Sequence, residues 1–112
     1  MEQELRAAIN AIAGRRFVSV TVDPYATFGP IEFDTALGAL LRDKAKARQL
    51  SVRDMIAAAG HDSVLIAPLC PSAMLFVPSV GGITHNPREY STREQVARGA
   101  QVILDAILAL AG

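Results

Sequence analysis

Both histidines of this 112-residue chain, His61 and His85, stand at the two ends of one stretch, GHDSVLIAPLCPSAMLFVPSVGGITHN, which runs from Gly60 to Asn86. The only cysteine, Cys70, lies between them. Imidazole is a general acid or base near neutral pH and the commonest metal ligand, so acid-base or metal chemistry would have to start here. Each histidine also sits beside glycines, Gly60 on one side and Gly81 and Gly82 on the other, which let a backbone turn sharply or approach a ligand closely.

The residues support more than one reading. His85 follows an apolar segment and a glycine loop and precedes a helix, the place where an α/β sheet presents functional groups at the carboxyl ends of its strands. A lone loop histidine is more often structural or solvent-facing than a ligand; Gly81, Gly82 and Asn86 beside it weigh towards function. His61 and Asp62 are adjacent and so do not face one another as a proton relay. Either Asp62 caps the next short helix, or His61 points into a cleft and positions a substrate while Gly60 leaves its N–H open to a carboxylate. Cys70, between Pro68 and Pro71, reads as a small buried side chain in a reducing compartment, and with no base beside it a thiol enzyme is set aside. A complete metal site needs at least three ligands, and candidates for the others are not in place. No P-loop, nucleophile elbow, CxxC or HExxH occurs.

The elements that must hold these groups follow from periodicity. Leu5, Ala8, Ile9 and Ile12 form a helical stripe over residues 2 to 13, closed by Gly14. Val18, Val20 and Val22 alternate with Ser19 and Thr21 as a half-buried strand, and PYATFGP at 24 to 30 is a loop and the domain boundary. Asp34 caps a second helix whose apolar face is Leu37, Leu40 and Leu41. Residues 52 to 59 favour helix, and Asp62 opens another short one, SVLIA. MLFV at 74 to 77 is unalternating and suits a strand buried on both faces. Ser91 with Glu94 makes a capping box for the last helix, which buries Val96, Ala100, Ile103, Leu104, Ile107 and Leu108.

Composition narrows the classes. Hydrophobic residues make up 51% of the chain, enough for a modest core, and eleven basic residues balance eleven acidic ones. With no net charge there is no footprint for nucleic acid or an anionic membrane. Pro68, Pro71 and Pro78 interrupt the longest apolar stretch before it reaches the roughly 18 residues of a membrane span. The N-terminus MEQELRAA lacks an apolar signal-peptide core, so the expectation is a soluble cytoplasmic protein.

The run GHDS, followed by MLFVPSVGGITHNPREYSTREQVARGAQVILDAIL, resembles the C-terminal end of the hydantoinase/carbamoylase branch of dinuclear zinc aminoacylase-like hydrolases. That branch includes N-carbamoyl-L-amino-acid hydrolases, allantoate amidohydrolases and ureidopropionases. Its pattern is a GAGHDA-like motif, an apolar stretch with proline, FVPS, GGISHNP, an E-Y pair and a helix; residues 59 to 108 keep that order without a gap. The resemblance implies an α/β fold, part of a three-layer sandwich with a mixed or parallel sheet. Residues 1–27 would be a remnant of the lid and dimerisation domain, and residues 28–112 a section of the catalytic domain.

By the same resemblance His85 is a metal ligand, Gly60 and His61 contact the substrate, and Asp62, Gly81, Gly82 and Asn86 are supporting residues. Catalysis in the family uses divalent metal, zinc or manganese, to activate a bridging water while a glutamate moves the proton. The histidine-x-aspartate pair, the paired glutamates and the next histidine of the family have no counterpart in this chain, so no catalytic residue is expected in it. Ala57 and Ala58 stand where the family has Ser-Gly, which removes a hydroxyl and a flexible residue from the substrate side. The expected function is therefore a fragment or split half of an amidohydrolase acting on N-carbamoyl amino acids or related ureido or amide compounds, inactive alone. Its partners would be that small molecule and a missing N-terminal half or a second copy. The alternative is a non-catalytic interaction or dimerisation domain derived from the same fold.

Overall fold

The computed structural model describes residues 1–26 and 29–112, so Thr27 and Phe28, at the expected domain boundary, lie outside the described residues. The chain divides into two compact units, Met1–Pro30 and Ile31–Gly112.

The first unit is built on α1, Glu2–Arg16. Glu2 and Glu4 in its first turn and Arg15 and Arg16 in its last complement the helix dipole. The helix passes through Gly14, contrary to the expected stop there, and ends at Phe17, which takes the left-handed conformation (φ 54°) and turns its N–H back to the Ala13 and Gly14 carbonyls. Glycine in a helix is tolerated when nothing else ends it, and the backbone bond from Val18 N–H to Ala13 O (3.2 Å) completes the stop instead. Arg6 ties α1 to the following segment by donating to the Val22 carbonyl at 3.1 Å. Val18 and Val20 are exposed and only Val22 is half-buried, so the expected strand has its sequence alternation but no paired strand among the described residues.

The second unit pairs two long helices, α2 (Thr35–Ala47) and α4 (Arg93–Leu110), with the four-residue α3 (Ser63–Ile66) and one 3₁₀ turn (Val80–Gly82) between them. Asp34 caps α2 as expected, its carboxylate accepting from Leu37 N–H at 2.8 Å. At the other end Leu50 N–H reaches the Ala45 carbonyl (3.0 Å) and Gln49 N–H the Lys46 carbonyl (2.8 Å), a Schellman closure with Gln49 left-handed at φ 58°. The capping box of α4 sits one residue later than expected. Thr92 Oγ1 accepts from Gln95 N–H and Gln95 Oε1 from Thr92 N–H, while Ser91 Oγ donates to the Pro78 carbonyl at 2.8 Å.

Helices α2 and α4 pack through Ala45, Val102 and Ala106, with Val102 only 2% exposed. Over this small apolar contact lies a polar clamp. Arg48 forks onto both oxygens of Asp105 (2.5 and 2.9 Å) and donates to Gln101 Oε1 at 2.7 Å. The paired guanidinium holds the Asp105 carboxyl below the usual carboxylate range. Gly99, buried on the same face of α4, lets the 74–77 segment cross the helix: a Cβ there would stand 2.5 Å from Val77 Cγ1 and 3.4 Å from Leu75 Cδ2.

Several expectations are corrected. Among the described residues no strand is paired, so the mixed or parallel sheet is not formed; a β-ladder needs a second strand to take its N–H and C=O groups, and neither 18–22 nor 74–77 has one. Burial along 75–80 nonetheless alternates, Leu75, Val77 and Ser79 half-buried and Phe76, Pro78 and Val80 exposed, so this segment is covered on one face, not both. Residues 52–59 are not helical, and Ile56 is 94% exposed; an isolated two-turn helix with no covered face is unstable in water. Cys70 is exposed, at the end of the turn that follows α3. The expected buried stripe of α4 is the exposed one, with Ile107 55% and Leu108 61% exposed; the buried face is instead Gly99, Val102 and Ala106, with the 74–77 segment crossing at Gly99.

Candidate functional site

His85 sits in a loop whose backbone is bent for it. The 3₁₀ turn Val80–Gly82 is closed by Gly82 N–H to the Ser79 carbonyl (3.0 Å), and Gly81 and Gly82 both take φ 67°, a conformation that glycine reaches without a Cβ penalty. Ser79 Oγ donates to the Ile83 carbonyl, and Val80 N–H to the Tyr90 carbonyl at 2.8 Å, which pins both ends of the loop together. His85 itself is left-handed at φ 52°, uncommon for a residue with a side chain. Its N–H donates to Glu89 Oε2 at 2.7 Å, and Asn86 Oδ1 accepts from Arg88 N–H at 3.0 Å. Asn86 thus shapes the turn, Glu89 holds the His85 backbone, and the imidazole is left exposed. Glu89, four residues beyond His85, was the partner that sequence reasoning missed.

His61 is held differently. Its Nδ1 accepts from Ser63 N–H at 3.1 Å and lies 3.0 Å from Ser63 Oγ, and that hydroxyl is also 3.0 Å from Met74 Sδ. Asp62, expected to cap α3, makes no side-chain bond to it; Asp62 is itself helical (φ −58°, ψ −27°), and the first free N–H of the helix is taken by His61. Gly60 has nothing within 4 Å of where a Cβ would stand, so its surface is open. Ala57 and Ala58, the departures from the Ser-Gly pattern, are exposed beside it.

The structure does not gather these residues into one complete centre. Among the described residues no three or more His, Cys, Asp or Glu side chains come together as a metal-holding group. The residues present therefore do not fit a metal ion by themselves, since zinc retention needs several deprotonated ligands acting jointly. A groove of about 670 Å³ in the second unit is lined by Asp34, Arg42, Asp54, Arg98, Gln95 and neighbours, and by neither histidine. Arg42 there is bound by Asp54 at 2.8 Å, and the carboxylate raises the guanidinium pKa further.

Comparison with known proteins gives the family. The profile of peptidase family M20/M25/M40 matches residues 3–109. The chain is 34% identical over 109 residues to the allantoate amidohydrolase of Bacillus subtilis (strain 168), covering 97% of this chain and 26% of that protein. To the N-carbamoyl-L-amino-acid amidohydrolase of Rhizobium meliloti it is 32% identical over 108 residues, 96% of this chain and again 26% of the relative. Among solved structures, an amidase of the hydantoinase/carbamoylase family from Burkholderia vietnamiensis superposes with a TM-score of 0.91 at 34% identity, covering 96% of this chain and 26% of that one. The chain thus spans about a quarter of the length of the relatives it matches. No helix among the described residues is long and apolar enough to cross a membrane. With its family profile spanning nearly every residue and its likeness lying with the hydantoinase/carbamoylase amidases, this chain belongs to peptidase family M20/M25/M40.

Proposed function

We propose that this chain supplies one wall of the active site of a metal-dependent amidohydrolase that cleaves the C–N bond of N-carbamoyl amino acids or related ureido compounds, and that it acts only together with the rest of such a catalytic domain. The observation that carries the reading is His85. A histidine in a left-handed conformation costs about 1–2 kcal/mol and persists only where its surroundings enforce it. Here the two glycines, the Asn86 turn and the Glu89 carboxylate do so, and the exposed ring is the product. In this reading His85 is one metal ligand, Gly60 and His61 contact the substrate, and Asp62, Gly81, Gly82 and Asn86 shape the two loops. The open surface at Gly60 and the exposed His61 ring support the substrate role.

The same reading makes residues 1–27 part of a lid and dimerisation domain and residues 28–112 part of the catalytic domain, which the division into Met1–Pro30 and Ile31–Gly112 supports. The exposed stripe of α4 and the uncovered face of 74–77 support the need for further chain over them, where a sheet of the α/β type would complete the layers. The metal is divalent, zinc or manganese, and the setting is the cytoplasm.

A chimera tests this. Residues 1–112 replace the matching quarter of the Bacillus subtilis allantoate amidohydrolase, and hydrolysis of allantoate and of N-carbamoyl amino acids is assayed with and without chelator. Chelator-sensitive hydrolysis supports the proposal; a folded chimera with no hydrolysis contradicts it. A second reading, a non-catalytic dimerisation module, is favoured by the exposed Ile103, Leu104, Ile107 and Leu108. It expects a discrete dimer of the 112-residue chain by sedimentation, with a melting temperature indifferent to zinc and chelator.

A further inference from the structure

We infer that Ser63 is a positioning residue for His61: its main-chain N–H locks the imidazole as the Nε2–H tautomer, so His61 meets a substrate oxygen as a hydrogen-bond donor. The inference rests on the proposed contact between His61 and substrate, and concerns how that contact is prepared.

A main-chain N–H can only donate. With Ser63 N–H directed at Nδ1 from 3.1 Å, Nδ1 must be the acceptor, and a neutral imidazole then carries its single proton on Nε2. The Ser63 hydroxyl, 3.0 Å from Nδ1, cannot decide this alone because a hydroxyl both donates and accepts. Its proton has another acceptor, Met74 Sδ at 3.0 Å, which links the turn to the segment that crosses α4. The lock is local and cheap to form. Ser63 opens α3, so its N–H has no partner within the helix, and Val64 N–H to the His61 carbonyl (2.9 Å) keeps the ring's own backbone folded over it. The free face of the ring is then Nε2–H, a donor suited to the carbonyl or carboxylate oxygens of a ureido acid and unable to act as a base in that state.

Nitrogen-15 NMR of the imidazoles in the intact chain tests this directly, because only His61 and His85 contribute. The His85 ring has no hydrogen-bond partner among the described residues and is the internal reference. His61 is expected as Nε2–H alone, with a coupling across the hydrogen bond between the residue-63 amide nitrogen and Nδ1, and His85 as a mixture of tautomers. Ser63→Ala keeps the N–H and is expected to leave His61 unchanged. Nδ1–H at His61, a mixture matching that of His85, or a switch of tautomer on Ser63→Ala overturns the inference. Failure of the substrate contact is read separately: His61→Ala in the chimera would then leave KM unchanged while the tautomer in the 112-residue chain stays as described.

Discussion

Gly99→Ala sets two magnitudes of opposite sign against each other at one atom. In a helix interior, alanine is favoured over glycine by about 0.8–1.0 kcal/mol, so propensity alone makes the variant more stable. The added Cβ, however, would stand 2.5 Å from Val77 Cγ1, about 1 Å inside ordinary carbon–carbon contact at 3.5–4.0 Å. Val77 is β-branched and stiff at χ1, and Leu75 Cδ2 at 3.4 Å closes the adjoining space, so neither side chain can swing away freely. Overpacking of this kind costs about 1–3 kcal/mol, and with little room to yield the upper part of that range applies, leaving a net loss of about 1–2 kcal/mol. Urea unfolding of the intact chain measures it as a lowered midpoint with an unchanged slope. Gly38→Ala, in α2 with nothing within 4 Å of its Cβ position, is the control and should gain about 0.8–1.0 kcal/mol. Adding Val77→Ala to Gly99→Ala should recover part of the loss, as a double-mutant cycle would show. Gly99→Ala as stable as the parent, or more so, would refute the packing described at this crossing.

The Arg48–Asp105 clamp makes stability depend on acid. The folded carboxyl titrates below its unfolded value, so its contribution is present above about pH 4, the unfolded range, and is lost as pH falls through the folded pKa. Asp105→Asn should flatten that limb of a melting-temperature profile, and an unaltered limb would remove the clamp from the account. Thr92→Ala removes the N-cap of α4 and should cost about 1 kcal/mol in urea unfolding, more than Ser91→Ala, whose hydroxyl serves only the Pro78 carbonyl. His85→Gly relieves a left-handed side chain and should raise the unfolding midpoint by about 1 kcal/mol of stability while destroying activity in the chimera; a drop in stability would count against strain at this residue.

Local chemistry was legible in the sequence and partnership was not. Asp34 reads as a cap and is one, because a cap needs only the next three residues. STREQ contains both Ser91-x-x-Glu94 and Thr92-x-x-Gln95, two registers of the same box, and the contact of Ser91 with Pro78 selects the second. The stripe of α4 was read by hydrophobicity, yet the face that is buried carries Gly99, Val102 and Ala106, because the segments crossing it, 74–77 at Gly99 among them, approach where the side chain is absent or short. Strands at 18–22 and 74–77 have the right residues, but pairing is a property of two segments and is not written in either. At the site, the glycines at positive φ were legible from their type. The hold of Ser63 on His61 and of Glu89 on His85 depended on turn geometry that residue type does not fix.

If His85 is a metal ligand completed by groups outside this chain, metal content must depend on it. The chimera and its His85→Ala variant are dialysed against the same buffered zinc and the bound metal is counted per protein, alongside allantoate hydrolysis. Loss of an outer partner of a metal site typically costs 10–100-fold in affinity, about the least that loss of a ligand should cost. Metal is expected to be missing from the variant at free zinc that saturates the parent, with hydrolysis lost in step. Equal metal content and unchanged hydrolysis would contradict it.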